Sequence, residues 1–318
     1  MVSIGKMKKF LPLVGILVFA YLVYSARPAK ILTAFAGANP LYMTLAVALI
    51  GIYMPLQTLK WKKILELQGF HLGFLYLLKV HFIGMFYGML TPGRIGTLLR
   101  ISYIRDKTKR SFSECSSNVV LDKLTDVMGL LVMGTVGIIL LLKYVSGVLF
   151  YVTTVFLLLF LIVFLLVVRK SFSRRVLGFF YRMIIPAKYK KSAAGTFSAF
   201  YDNMPGIGKL AVPLVLMFAC WILVFSSFYI ILLALGINNV PYHVFITVFA
   251  ISTMIGLIPV TISGWGMREA SLIATLSVFG VTPEKVIALS IIAYAISGIM
   301  PGAIGALFAF TERDGNNC

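Results

Sequence analysis

The sequence predicts an all-α, polytopic transmembrane bundle with about six full crossings and two re-entrant hairpins. Three observations carry this. Of 318 residues, 60% are hydrophobic and only 12% charged, with a mean hydropathy of +0.98; a soluble domain is about half apolar and about a quarter charged. No Asp, Glu, Lys or Arg occurs from Phe10 to Ala26, Ile31 to Leu59, Tyr144 to Val168, Leu210 to Met267 or Val286 to Thr311, and a spanning helix needs about 20 apolar residues. These runs are continuous, without the period-two alternation of a membrane barrel.

Basic residues assign sides, because cytoplasmic loops collect Lys and Arg. Lys6, Lys8 and Lys9 place the N-terminus inside. Lys6 to Ala26 also has the build of a signal peptide, but the topology needs it as a retained helix. Helix 10–26 leaves, helix 40–59 returns, and Lys60, Lys62 and Lys63 are inside. The stretch 72–92 is followed by Arg94, Arg100, Arg105, Lys107, Lys109 and Arg110, so both its flanks are basic. It is read as a hairpin that enters from the cytoplasm and returns to it. Its Lys79, His81, Gly84 and Gly88 suit backbone buried in protein. Helix 119–142 goes out and helix 144–168 comes back. The loop 169–209 holds nine basic residues against Asp202 and is cytoplasmic. Its Phe172, Val176, Phe179, Phe180 and Ile184 alternate with arginines, as in a helix lying on the membrane surface.

The second half begins with helix 144–168 and continues with helix 211–236, after which Gly236-Ile237-Asn238-Asn239-Val240-Pro241 turns the chain. Residues 243–282 form a second hairpin, entered from outside, and helix 286–311 ends inside. Each half therefore reads helix, helix, hairpin, helix from opposite starting sides. Residues 10–142 and 144–311 are expected to form an inverted repeat. The echo of Gly88-Met89-Leu90-Thr91-Pro92 and Gly93-Arg94-Ile95-Gly96 in Gly256-Leu257-Ile258-Pro259 and Gly264-Trp265-Gly266-Met267-Arg268 supports it.

The net charge of +19 fits cytoplasmic loops facing anionic headgroups. Nucleic acid is not the expected partner, since no soluble domain can carry a groove-reading element. Cys115, Cys220 and Cys318 form no CxxC and no disulfide framework. His71, His81 and His243 lack metal-ligand spacing, so no metal or cofactor is expected.

Charges inside membrane segments are costly and mark functional sites. Around Pro92, Gly93, Arg94 and Gly96, with Arg100 behind, freed backbone N–H groups and guanidinium make a phosphate site; an ordinary cytoplasmic turn is the plainer alternative. Asp122, Lys123 and Asp126 form a second group, with the two acids at i, i+4 on one helix face. They serve either as counter-charges for Arg94 and Arg100 or as structural pairs fixing the hairpin. The third group is Gly264, Trp265, Gly266, Arg268 and Glu269, after Pro259. There Arg268 is suited to phosphate and Glu269 to balancing it, unless the segment is simply an interfacial turn. The Asn118-x3-Asp122-x3-Asp126 spacing has a distant likeness to a magnesium–diphosphate motif of membrane prenyltransferases. No second acidic motif follows it. CDP-alcohol phosphotransferases carry DxxxD behind an Asp-Gly-x-x-Ala-Arg that is absent here. With no nucleophile–base set and no P-loop, no enzyme is expected.

These motifs carry a family resemblance. Thr91-Pro92-Gly93-Arg94-Ile95-Gly96 with Arg100 and Asp122-Lys123-x-x-Asp126, and Pro259 through Gly264-Trp265-Gly266-Met267-Arg268-Glu269, resemble the transmembrane region of lysylphosphatidylglycerol synthase, the flippase domain of the multiple peptide resistance factor. The likeness covers nearly the whole chain. Thr97 stands where that family often has Glu, and Asp122-Lys123 where Glu-Arg is common. The soluble lysyl-transferase domain is absent, so the resemblance implies translocation and no synthase step. It implies a protein that moves an anionic phospholipid or polyprenyl-phosphate-linked lipid between leaflets; the charge pattern places it in the cell membrane with both termini cytoplasmic. The headgroup would sit between Arg94/Arg100 and Arg268. A second reading is a non-transporting subunit or anchor for a partner such as a glycosyltransferase, or a homo-oligomer; a third is an ion or small-solute transporter.

Overall fold

The computed structural model describes residues 28–141, 205–256 and 266–315, with Tyr21, Tyr24, Val155, Leu158 and Ile162. The expected helices 10–26 and 144–168, the surface helix in 169–209, and Pro259, Gly264 and Trp265 fall outside the described residues, apart from those five single helical positions. Every described element is helical: α1 Pro28–Ala36, α2 Pro40–Leu67, α3 Phe74–Leu90, a 3-10 helix Pro92–Leu99, α4 Arg100–Thr108, α5 Phe112–Leu141, α6 Ala211–Ala234, α7 Tyr242–Gly256, α8 Met267–Leu276, α9 Pro283–Tyr294, a π turn Ala295–Ile299 and α10 Met300–Gly315. Among the described residues, Pro40–Leu67, Gly208–Ala234 and Pro283–Thr311 are long and apolar enough to cross a membrane.

Local chemistry sets the boundaries. Asn39 caps α2, its side chain accepting from the Leu41 N–H at 2.9 Å, with Pro40 at the first helical position. That is where proline's missing N–H costs least. Gly69, with φ +74, ends α2; a left-handed residue after a helix favours glycine. Ser111 and Glu114 form a reciprocal cap on α5, with Ser111 N–H to Glu114 at 3.0 Å and Glu114 N–H to Ser111 Oγ at 3.3 Å.

The first hairpin differs from its expected bounds. Residues 74–90 form one unbroken leg, and the chain turns at Thr91–Pro92, where proline cannot donate to the preceding turn. The return leg is 92–108. The Tyr76 hydroxyl donates to the Tyr103 carbonyl at 2.8 Å, Gly84 faces the Arg100 stem, and Gly88 faces Thr97. The 72–92 expectation misplaced the turn because the return leg is polar and reads as loop by hydropathy. The second hairpin pairs α7 with α8: Ser252 and Ser271 hydroxyls meet at 3.0 Å, and Asn239 donates to the Phe279 carbonyl.

The hairpins enter from opposite ends of the bundle. At one end Arg110 donates to the Gln68 and Gly69 carbonyls, and Leu210 packs with Ile64. At the other, Asn39 N–H meets the Ala234 carbonyl and Lys30 pairs with Glu284 at 3.5 Å. The first end gathers Lys62, Lys63, Arg105, Lys107, Lys109, Arg110 and Lys209; the second holds Lys30 and Lys285. With a rise of about 1.5 Å per residue, α3 is about 25 Å long and α7 about 22 Å.

Each leading leg packs on the closing helix of the other half. The leg α3 lies on α10, where a Cβ on Gly305 would sit 1.9 Å from the Phe82 carbonyl oxygen. The leg α7 lies on α5, where a Cβ on Gly137 would meet Thr247 at 2.4 Å. Between them, α2 runs antiparallel to α6, and Ser227 Oγ donates to the Ala46 carbonyl at 2.9 Å. The main apolar core joins α2, α5, α6, α7, α8 and α9. Gly305→Val is expected to wedge α10 off α3 and to cost about 1–3 kcal/mol, the usual range for overpacking. The check is a lower melting temperature of purified protein, and an unchanged one would deny this contact.

Candidate functional site

The first hairpin is tied to α2 and α5 by buried charge. Four residues of α2 point one way: Gln57, Lys60, Trp61 and Ile64, at i, i+3, i+4 and i+7 and all buried. Asn118, Asp122 and Asp126 form a stripe on α5 at four-residue intervals. Lys60 Nζ lies 2.9 Å from Asp122 Oδ1 and also pairs with Asp126. On its far side Asp122 takes Arg100 Nη2 at 3.1 Å. Asp126 accepts from Gln57 at 3.2 Å, with Lys123 farther off at 3.5 Å. Arg100 is 2% exposed and stacks over Trp61, 4.5 Å from the ring centre. Trp61 donates to Asn118, which donates to Gln68 at 2.9 Å. Buried charges persist only when paired and hydrogen-bonded, and here two cations meet two carboxylates.

Arg94 is a different kind of group. It stands at the hairpin tip with φ +55, a left-handed conformation unusual for a side-chain-bearing residue. Its side chain is exposed at the edge of a crevice. Met85, Gly88, Met89, Thr97, Tyr294 and Gly298 line the crevice beside it. Arg94 makes no ion pair among the described residues. It lies within electrostatic reach of Arg268, Tyr53 and Tyr294.

Arg268 comes from the second tip. Its guanidinium holds Glu269 through Nη2 at 2.7 Å and Nε at 3.0 Å, while the other Glu269 oxygen accepts the Gly266 N–H at 2.7 Å. Gly266 has φ +87, so the segment before α8 needs glycine there. Glu269 is fully buried and caps α8. The π turn at Ala295–Ile299 lies in the crevice wall through Gly298; π turns are frequent at functional sites.

The structure thus brings Arg94 and Arg268 near one another, pairs Arg100 with Asp122, and pairs Arg268 with Glu269. Lys60, Gln57, Trp61 and Asn118 were not among the expected site residues. Lys60 reads as one of three flanking lysines, and only the matching stripes 57-60-61-64 and 118-122-126 signal that it turns inward. His81 is buried with Nδ1 3.1 Å from the Thr58 hydroxyl, while His71 and His243 are exposed.

Residues 12–305 match the family described as the lysylphosphatidylglycerol synthase TM region. A UPF0104 membrane protein of Methanothermobacter thermautotrophicus is 24% identical over 311 residues, covering 92% of this chain and 91% of its own. A UPF0104 membrane protein of Pyrococcus horikoshii is 21% identical over 329 residues, covering 96% and 98%.

Proposed function

Because the chain belongs to the lysylphosphatidylglycerol synthase TM region family, we propose that it moves an anionic phospholipid or polyprenyl-phosphate-linked lipid between leaflets. The headgroup phosphate is held between Arg94 and Arg268. The observation that carries this reading is Arg94, an arginine at the hairpin tip beside a crevice, with no acid paired to it among the described residues. Of the ten acids, Asp122 and Asp126 balance Lys60 and Arg100. Glu269 balances Arg268, Glu284 pairs with Lys30, Glu66 with Lys62 and Lys63, and Glu114 caps its helix. Asp106, Asp202, Glu312 and Asp314 lie outside the long charge-free stretches. An unpaired charge at membrane depth costs about 2.5–3.5 kcal/mol on insertion scales. A lipid phosphate removes that cost and accepts a bidentate guanidinium. Arg100, already paired with Asp122, anchors the hairpin instead of reaching the headgroup.

The two halves work as an inverted repeat. A single shift of 168 residues supports this. It carries Gly88 to Gly256, Gly96 to Gly264, Arg100 to Arg268, Gly134 to Gly302 and Gly137 to Gly305. The exchanged packing of each leading leg on the other half's closing helix follows the same relation. The basic end faces the cytoplasm. Single cysteines in a background lacking Cys115, Cys220 and Cys318 test this: positions 62 and 107 are expected to resist an impermeant thiol reagent in intact cells, and position 284 to react. Labelling at 62 or 107 would reverse the orientation. Fluorescent-lipid movement in proteoliposomes tests the transport itself. Wild-type protein that moves no lipid of any headgroup would favour the membrane-anchor reading.

A further inference from the structure

The charges around the crevice add up to a definite sum. Arg94 contributes one cation beside the wall that Gly88 of α3 and Gly298 of the π turn form. Among the described residues, the titratable groups within electrostatic reach of it are Arg268, Tyr53 and Tyr294. The two phenols are neutral near pH 7, since tyrosine ionises at about pH 10. Arg268 brings a second cation and Glu269 one carboxylate, joined through Nη2 at 2.7 Å and Nε at 3.0 Å. The other Glu269 oxygen accepts the Gly266 N–H at 2.7 Å, so both oxygens of that acid are committed. Two cations less one carboxylate leave one positive charge. Residues 257–265 do not alter the sum, because Leu257-Ile258-Pro259-Val260-Thr261-Ile262-Ser263-Gly264-Trp265 contains no acidic or basic side chain.

The hydrogen-bond donors match that charge. Arg94 has no ion pair among the described residues, and Arg268 keeps its Nη1 N–H pair outside the Glu269 contact. Thr97 gives its hydroxyl proton to the Arg94 carbonyl at 2.9 Å, which fixes the tip and adds no donor to the crevice. A phosphodiester carries one negative charge over two non-bridging oxygens, and a guanidinium grips such a pair bidentately. Bound there, it brings the local sum to zero. A phosphomonoester carries about −1.5 to −2 at pH 7, its second pKa being about 6, and a diphosphate carries more. Either leaves an unbalanced anion beside the buried Glu269, and buried charge persists only when paired. A headgroup with its own ammonium restores the surplus cation instead.

We infer that this site selects headgroups with a single net negative charge, a phosphodiester whose other substituent is uncharged, and discriminates against phosphomonoesters, diphosphates and aminoacylated headgroups. Glu269 sets the count. The inference rests on the placement of the headgroup between Arg94 and Arg268 and narrows which anionic lipid fits. A glycerophospholipid and a polyprenyl-phosphate sugar both meet the condition, because the charge of each sits on a diester.

Phosphatidylmethanol and phosphatidic acid with the same acyl chains differ by one methyl group and about one charge. Binding to the full-length protein in detergent, read by native mass spectrometry at about pH 7.5, is expected to be at least tenfold tighter for phosphatidylmethanol. Acidification to about pH 5 makes phosphatidic acid a monoanion. It is expected to close most of the gap while leaving phosphatidylmethanol unchanged. Glu269→Gln raises the sum to two and is expected to shift the preference about tenfold toward phosphatidic acid. Equal binding of the two lipids to wild-type protein at about pH 7.5, or a gap that acid does not close, would overturn the inference with no variant needed. A polyprenyl phosphate and its hexosyl diester repeat the comparison, and tenfold selectivity confined to one chain type assigns the source. Selective binding without movement in proteoliposomes would keep the charge rule and remove translocation. Movement of mono- and dianionic lipids at equal rates would keep translocation and remove the rule.

Discussion

Lys60→Met is expected to stop the protein accumulating in folded form. Lys60 is fully buried between Asp122 and Asp126. Removing it leaves buried Asp122 with Arg100 alone and Asp126 with only Gln57 and the more distant Lys123. Breaking a buried pair by deleting one partner costs about 3–5 kcal/mol, against a total stability of about 5–15 kcal/mol. Charge balance predicts the rescue. Lys60→Met combined with Asp126→Asn removes one charge of each sign and leaves Asp122 paired with Arg100. The double variant is expected to recover most of the monodisperse yield and melting temperature lost by the single one. Asp126→Asn alone is expected to be mild, because Asp126 is the more accessible acid and Asp122 retains both cations. Size-exclusion profiles and melting curves of detergent-purified protein decide it. A Lys60→Met protein as stable as wild type would show that this lysine is not held as described.

Arg94→Ala is expected to slow lipid movement at least tenfold while leaving the melting temperature nearly unchanged. The two effects separate because Arg94 has no ion pair to lose among the described residues. A tenfold loss corresponds to about 1.4 kcal/mol, a modest share of a bidentate guanidinium–phosphate contact. Arg94→Lys is expected to recover part of the rate, since an ammonium keeps the charge but not the fork. Arg268→Ala should also slow transport, but it is the less clean variant: it strands the buried Glu269, so reduced expression is expected with it. Arg175→Ala in the basic loop serves as a control and is expected to behave as wild type. An Arg94→Ala protein that moves lipid at the wild-type rate would remove the headgroup from this crevice.

Membrane class was legible in the sequence, since it depends on local sums, as was a helix break beside Pro92. Apolar runs report hydrocarbon, and Pro92 and Gly266 report backbone that cannot continue a helix. The pairing of Arg268 with Glu269 was also legible, because the two are adjacent. The return leg 92–108 was not. Its arginines make it hydrophilic on average, yet Arg100 is hidden inside.

The sequence by itself determined that this chain is an all-helical membrane protein and that few charges interrupt its apolar runs. Only the tertiary structure decided which charges meet. Lys60 and Asp122 are 62 positions apart (122 less 60) and touch because α2 and α5 lie side by side. Arg94 and Arg268 approach because their hairpins enter from opposite ends. Hydropathy sums over neighbours along the chain, whereas the desolvation of a charge depends on neighbours in space. Lys60 and Arg94 therefore look alike as basic residues at the edge of apolar runs. The fold makes one of them a neutralised clamp and leaves the other without an ion pair among the described residues.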